Sequence, residues 1–380
     1  MVDLTNPDKV QEWVNRLEVK TGISFVARMM LRELPCVFSL RDQNVDGCDL
    51  RQLFLICLRS NIVCGVESVL QIPKTSTEFA TASFDHVKHA WGSISIATNL
   101  PGNLQSAAFD ATKVTRRALR ISSYSHADSK TVLAGALGAI HEFYFDTSAL
   151  AADIDTLTAT RTDSKQLFAT ELWDCKAPAQ EDQRIQEFLE GSMGTPLEFW
   201  ADWYEGMLKG EPLDWELQRR VALIGNSIWN AGPEAVAEEI AEIQARWEVE
   251  KALSDIKGSL TVRTSARHGI GGNNPPKSIE DERLSDAITL IWEATDDLST
   301  ALEEERPARE WIEAILGKLK AGLVGLLKWC VGKANLGVGT AVVVGSTKGT
   351  TAIVDAYIAK HPEKIEALIE AIERWLPLLS

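Results

Sequence analysis

The sequence predicts a mainly α, multi-unit helical protein with a glycine-rich apolar C-terminal segment. Three observations predict it. Apolar residues recur along most of the chain at the three-and-four spacing that lines one helix face. Strand signals are sparse throughout. Helix starts are marked by Pro233, Pro362 and the Ser278-Ile-Glu-Asp-Glu282 stretch, which suit a first turn whose amides lack partners inside the helix. With 45% hydrophobic and 24% charged residues, the chain can bury a core, and 380 residues leave room for two or three packing units.

The first unit is expected over residues 1–157. Trp13, Leu17, Ile23, Val26, Met30, Leu31 and Leu34 recur at near-helical spacing. Asp49 precedes the run Leu50–Leu70 and is placed to cap its first turn. Further helices are expected over about 79–97, 105–121 and 128–150. A second unit, 158–256, is acidic and rich in tryptophan: Trp173, Trp200, Trp203, Trp215, Trp229 and Trp247. Indoles of this kind usually pack in a core, their N–H groups bonded inside it. After Pro233, Val236, Ile240, Ile243 and Trp247 form one apolar stripe, with Glu238, Glu239 and Glu242 toward solvent. Glycines, asparagines and the Pro275-Pro276 pair make 257–277 a linker. The third unit, 278–380, holds a helix with Leu284, Ile288, Ile291 and Leu298, and a last helix with Ile365, Leu368, Ile369, Ile372 and Leu376.

The net charge is -15, which argues against a nucleic-acid partner, because a polyanion is repelled at long range. The acidity is concentrated. Residues 151–260 carry 22 acidic and 10 basic side chains, whereas residues 1–150 carry 15 of each. The six cysteines form no CxxC pair, so reduced thiols in a cytoplasmic protein are expected. Residues 1–20 are polar and acidic, unlike a secretory leader.

Two passages carry a resemblance. Trp200-Ala-Asp-Trp203-Tyr204-Glu205-Gly-Met-Leu208-Lys-Gly210 is followed by Ile228-Trp229-Asn-Ala-Gly232-Pro233. Together they resemble a W-x-x-W-Y-E-x-x-L-x-G … I-W-x-x-G-P pattern found in mostly alphaproteobacterial proteins of no assigned activity. The segment Gly269-Ile-Gly-Gly272-Asn-Asn-Pro-Pro276 resembles the G-I-G-H-N-x-P-P linker of the same bacteria, with Gly272 at the histidine position. The resemblance spans about 150–276. It implies a bacterial source and a common architecture, and it transfers no activity.

Catalytic motifs are absent. Gly345-Ser-Thr-Lys-Gly-Thr350 has the composition of a phosphate loop in the wrong order. His86 and His89 could share a metal, but no third ligand is placed with them. Gly191-Ser-Met-Gly194 is not a nucleophile elbow. Carboxylate pairs such as Asp153 with Asp155, or Asp202 with Glu205, arise by chance in so acidic a region. No catalytic residue, metal or cofactor is therefore expected.

One segment departs from the rest. No acidic residue lies between Glu313 and Asp355, and the charges there are Lys318, Lys320, Lys328, Lys333 and Lys348. Leu316, Leu319, Leu323, Leu326 and Leu327, with lysines between them, compose a basic amphipathic helix able to lie on anionic lipid. Gly337, Ala341, Gly345 and Gly349 follow at a spacing of four, the small-residue ribbon that lets two helices approach closely. The expectation from 314–354 is a non-enzymatic bacterial effector or interaction protein, in a defence or toxin-like setting by analogy. Its partner would be another protein or a second copy, or the inner membrane, met peripherally. A soluble scaffold with that segment buried between subunits is the second reading. An enzyme with an unrecognised site is the third.

Overall fold

A computed structural model of the chain describes residues 12, 19–41, 50–70, 106–108, 147–159, 164–173, 176–261, 282–334 and 361–379. The described residues are mainly helical, as the spacing of apolar residues predicts, and include no strand. They fall into two compact units, 1–240 and 241–380. The expected divisions at 1–157, 158–256, 257–277 and 278–380 follow composition, and part of the 257–277 stretch lies outside the described residues.

In the first unit, α1 (Val19–Glu33) runs into a 3-10 turn, Leu34–Leu40, with a proline in its first turn. Then come α2 (Leu50–Leu70), α3 (Thr147–Ala159), α4 (Ser164–Phe168), α5 (Ala179–Ser192), α6 (Glu198–Lys209), α7 (Trp215–Ala222) and α8 (Asn226–Ala231). α2 is buried on nearly every side, which explains why its apolar residues favour no one face. It is the one described helix long and apolar enough to cross a membrane, and it packs inside this unit. Three of its polar side chains donate hydrogen bonds there. Ser60 Oγ and Asn61 Nδ2 donate to carbonyls one turn back, and Gln52 Nε2 donates to the Trp229 carbonyl at 2.8 Å.

Of the six tryptophans expected in a core, Trp173, Trp200, Trp203 and Trp229 are buried, whereas Trp215 and Trp247 are half-buried. Trp200, Trp203 and Trp229 are buried, with ring centroids 5.8 Å apart for Trp200–Trp203 and 6.0 Å for Trp200–Trp229. Trp229 Nε1 donates to the Ile224 carbonyl, and Trp203 Nε1 to the side-chain oxygen of buried Gln218. α6 ends at Gly210, whose φ of +70° is left-handed and whose missing side chain admits the Thr170 carbonyl carbon at 2.6 Å from a Cβ position. This is the glycine closing the W-x-x-W-Y-E-x-x-L-x-G passage.

α9 (Pro233–Thr261) begins at the expected proline. Its single stripe divides. Val236 and Ile240 are buried in the first unit, and Ala245, Val249, Leu253 and Ile256 in the second, whereas Ile243 and Trp247 are half-buried.

The second unit combines the later part of α9 with α10 (Glu282–Ala301), α11 (Arg309–Ala334), α12 (Pro362–Trp375) and a closing 3-10 turn, Leu376–Leu378. Ile288, Ile291 and Leu298 of α10 meet Ile312, Ile315, Leu319 and Leu326 of α11 and Ile365, Leu368 and Ile372 of α12 in one core. Arg246 secures the connection after α10. Its guanidinium donates to the carbonyls of Leu302, Glu304 and Glu305 and lies 6.0 Å from the Trp375 ring.

Candidate functional site

The expected membrane or assembly segment maps onto α11 and beyond. Lys318, Lys320, Lys328 and Lys333 fall on α11. Gly337, Ala341, Gly345, Lys348 and Gly349 lie outside the described residues, as do His86, His89 and the Gly345–Thr350 loop.

α11 has two faces with different fates. Its inward face supplies the leucines: Leu316, Leu319 and Leu326 are buried, and Leu323 is half-buried against the same core. Two of the expected lysines are tied to neighbouring helices. Lys318 Nζ sits 2.7 Å from Asp297 of α10, which raises its pKa through that hydrogen bond, and Lys320 Nζ sits 2.5 Å from Glu373 of α12. Both pairs are solvent-exposed and contribute little to stability.

A close helix approach is made on α11 by Gly322 and Gly325, while the ribbon expected at 337–349 lies outside the described residues. A Cβ on Gly322 would lie 2.6 Å from Ile291 Cγ1 and 3.0 Å from the Ala287 carbonyl oxygen. One on Gly325 would lie 3.0 Å from Ala287 Cβ. The two glycines let α11 press its backbone against α10. Their signal in the sequence was present but faint, two glycines among eight in a glycine-rich stretch.

The outward face is open. Val324 is 49% exposed, Leu327 38% and Val331 62%. Their spacing of three and four puts them in one row, with Lys328 exposed beside them. Nearer the start of the helix the same face carries exposed Ala314, Gly317 and Ala321. Space at Gly317 is unobstructed, with nothing within 4 Å of an added Cβ. The face therefore passes from small side chains to an apolar row without an acid after Glu313.

Catalytic alternatives gain no geometry. Among the described residues no three His, Cys, Asp or Glu side chains gather as a metal site. Asp153 does not pair with Asp155, because Arg28 and Arg32 occupy it. Asp202 lies on the surface of α6, its pKa raised by partial desolvation and then by Glu198 and Glu205. Glu205 itself pairs with Lys209 at 2.6 Å. Cys57 and Cys64 are buried thiols in no disulfide, and burial raises the Cys64 pKa, which makes it a poor nucleophile.

The chief polar feature that sequence reading missed is in the first unit. Arg28 Nε and Arg32 Nη1 donate to the two oxygens of Asp153 at 3.0 and 2.7 Å, all three side chains being buried. Remaining donors reach carbonyls: Arg28 to Leu167, Thr170 and Glu171, and Arg32 to Leu172. These carbonyls end α4 and form the turn after it, where a helix leaves acceptors unpaired. The cluster is a clamp on that turn. Two arginines four apart in the mostly apolar Ile23–Leu34 run were the visible signal.

No family model, curated protein or solved structure matches this chain.

Proposed function

We propose that this chain is a non-enzymatic interaction protein whose C-terminal unit docks reversibly on an anionic lipid surface through the outward face of α11. The observation that carries the reading is the row Val324, Leu327 and Val331, left exposed beside Lys328 on a helix whose opposite face is consumed by the core. Charge selects the surface. From Ala314 to Val354 all formal charge is positive, so a neutral or cationic surface gains nothing from it, whereas an anionic leaflet gains about 1 kcal/mol per lysine near the surface.

The size of the effect follows from the geometry. Three half-exposed aliphatic side chains gain a few kcal/mol on leaving water, and Lys318 and Lys320 are shared with acids of the bundle. Binding should therefore be weak, peripheral and salt-sensitive. The test is flotation of the intact chain with phosphatidylcholine vesicles and with vesicles containing phosphatidylserine. The reading expects flotation with the second only, lost at high salt.

A second reading, self-association, is favoured by one feature of the same face. Exposed Ala314, Gly317 and Ala321 leave α11 smooth enough for another helix to approach closely. Light scattering that finds a stable dimer, together with no flotation, would select it.

A further inference from the structure

We infer that the outward face of α11 pairs antiparallel with the same face of a second copy, and that this pairing hides the apolar row from lipid. The consequence rests on the lipid reading, whereas the pairing rests on the geometry of the helix alone. Ala314, Gly317, Ala321, Val324, Lys328 and Val331 are all exposed and recur at alternating intervals of three and four. That is the roughly 3.5-residue repeat of a two-stranded coiled-coil seam, narrower than the stripe by which a helix joins a globular core. The opposite side of α11 is filled by α10 and α12. A helix with one face in a core therefore carries a second, separate seam toward solvent.

The seam is uneven along its length, and the unevenness selects the direction of pairing. Its first half is small (Ala314, Gly317, Ala321) and its second half is bulky (Val324, Lys328, Val331). With one helix reversed, a single register sets Val331 against Ala314, Val324 against Ala321 and Lys328 against Gly317. Every layer then joins a large side chain to a small one, and two-fold symmetry repeats each layer. The space over Gly317, with nothing within 4 Å of an added Cβ, takes the lysine stem while its ammonium reaches solvent. A parallel pair would instead stack Lys328 on Lys328 and leave a gap between two copies of Gly317.

Charge agrees with shape. α11 begins with Arg309, Glu310 and Glu313 and ends with Lys328 and Lys333, so reversal brings a net acidic start toward a cationic end. The helix dipoles then oppose as well. The contact is small. The seam and Leu327 beside it supply far fewer side chains than the roughly 20–30 a side of a stable interface. Pairing is thus weak and reversible, and lipid competes with the second copy for Val324 and Val331.

Sedimentation velocity and disulfide trapping of the intact chain test the inference. The chain should be monomeric at about 1 µM and increasingly dimeric toward about 100 µM. Gly317→Leu fits the open monomer surface but closes the space for Lys328, so it should weaken pairing about tenfold or more. Its melting temperature shows whether it folds. Under mild oxidation, Ala314→Cys mixed with Val331→Cys should cross-link, and neither variant alone should exceed the unaltered chain, whose six cysteines set the background. The trapped dimer should stay at the bottom of a gradient with phosphatidylserine-containing vesicles, and the same sample should float once reduced. A chain still monomeric at about 1 mM, or either single variant cross-linking as well as the mixture, would overturn the antiparallel pairing. A trapped dimer that floats as well as its reduced form would overturn the masking. If neither the reduced sample nor the unaltered chain floats, the lipid reading and the masking both fall, while the trapping still decides the pairing.

Discussion

Asp153 holds Arg28 and Arg32 at once, one carboxylate oxygen to each guanidinium, at 3.0 and 2.7 Å and with all three side chains buried. Desolvation lowers the Arg28 pKa, and the Asp153 charge opposes that shift. Removing the carboxylate would leave two cations side by side in the core. Asp153→Asn should therefore destabilise the first unit by about 3–5 kcal/mol, read as a shifted urea midpoint. A shift under about 1 kcal/mol would mean that the carbonyls alone hold the arginines.

Glu67 supplies a pH dependence. Burial raises its pKa from 4.5 to about 7, and its Oε2 has no hydrogen-bond partner among the described residues. As pH rises from about 4.5 the unfolded chain releases this proton first, while the folded chain keeps it until about 7. The stability tied to the protonated form is complete below pH 4.5 and is lost as pH rises toward 7. The gap between the two values is worth about 3 kcal/mol, less a discount for residual solvent access. Glu67→Gln should raise the melting temperature at pH 8 and leave it unchanged near pH 4. Equal effects at both pH values would remove the titration from the account.

Two glycines on α11 should respond oppositely to the same substitution. Gly317→Ala fills open space and should stabilise by about 0.8–1 kcal/mol through helix propensity alone. Gly322→Ala gains the same propensity but drives a methyl group into Ile291 and the Ala287 carbonyl. Overpacking of about 1–3 kcal/mol should outweigh the gain. Thermal melts of the two single variants check the signs.

The indole core gives a further measure. Trp200→Ala and Trp229→Ala should each cost about 3–5 kcal/mol, Trp229 also because Arg59 lies 4.6 Å over its ring. Unchanged melting with a lost binding activity would assign these rings to a ligand instead.

These results mark where the sequence was legible. Helical spacing located α9, α10 and α12 because each buries residues three and four apart, whereas α2 was located by its long apolar run. The same spacing could not choose between lipid and protein for Leu316, Leu319 and Leu326. An amphipathic stripe looks identical for either, and only the facing Ile291 and Leu368 decide that these leucines belong to a core. The Arg28–Asp153 contact was illegible because its partners are 125 residues apart, with no local pattern linking them. The expected border at 157/158 was read from composition alone. A change in acidity concerns the surface, whereas units are set by which apolar faces meet.

The most direct measurement of the central claim is vesicle flotation of the intact chain beside a Val324→Asp/Leu327→Asp/Val331→Asp variant. All three positions are exposed, so the variant should keep its melting temperature within about 2 °C, as expected of surface changes. The unaltered chain should float with phosphatidylserine-containing vesicles, and the variant should stay at the bottom of the gradient. An unaltered chain that never floats, or a folded variant that floats equally well, would contradict it.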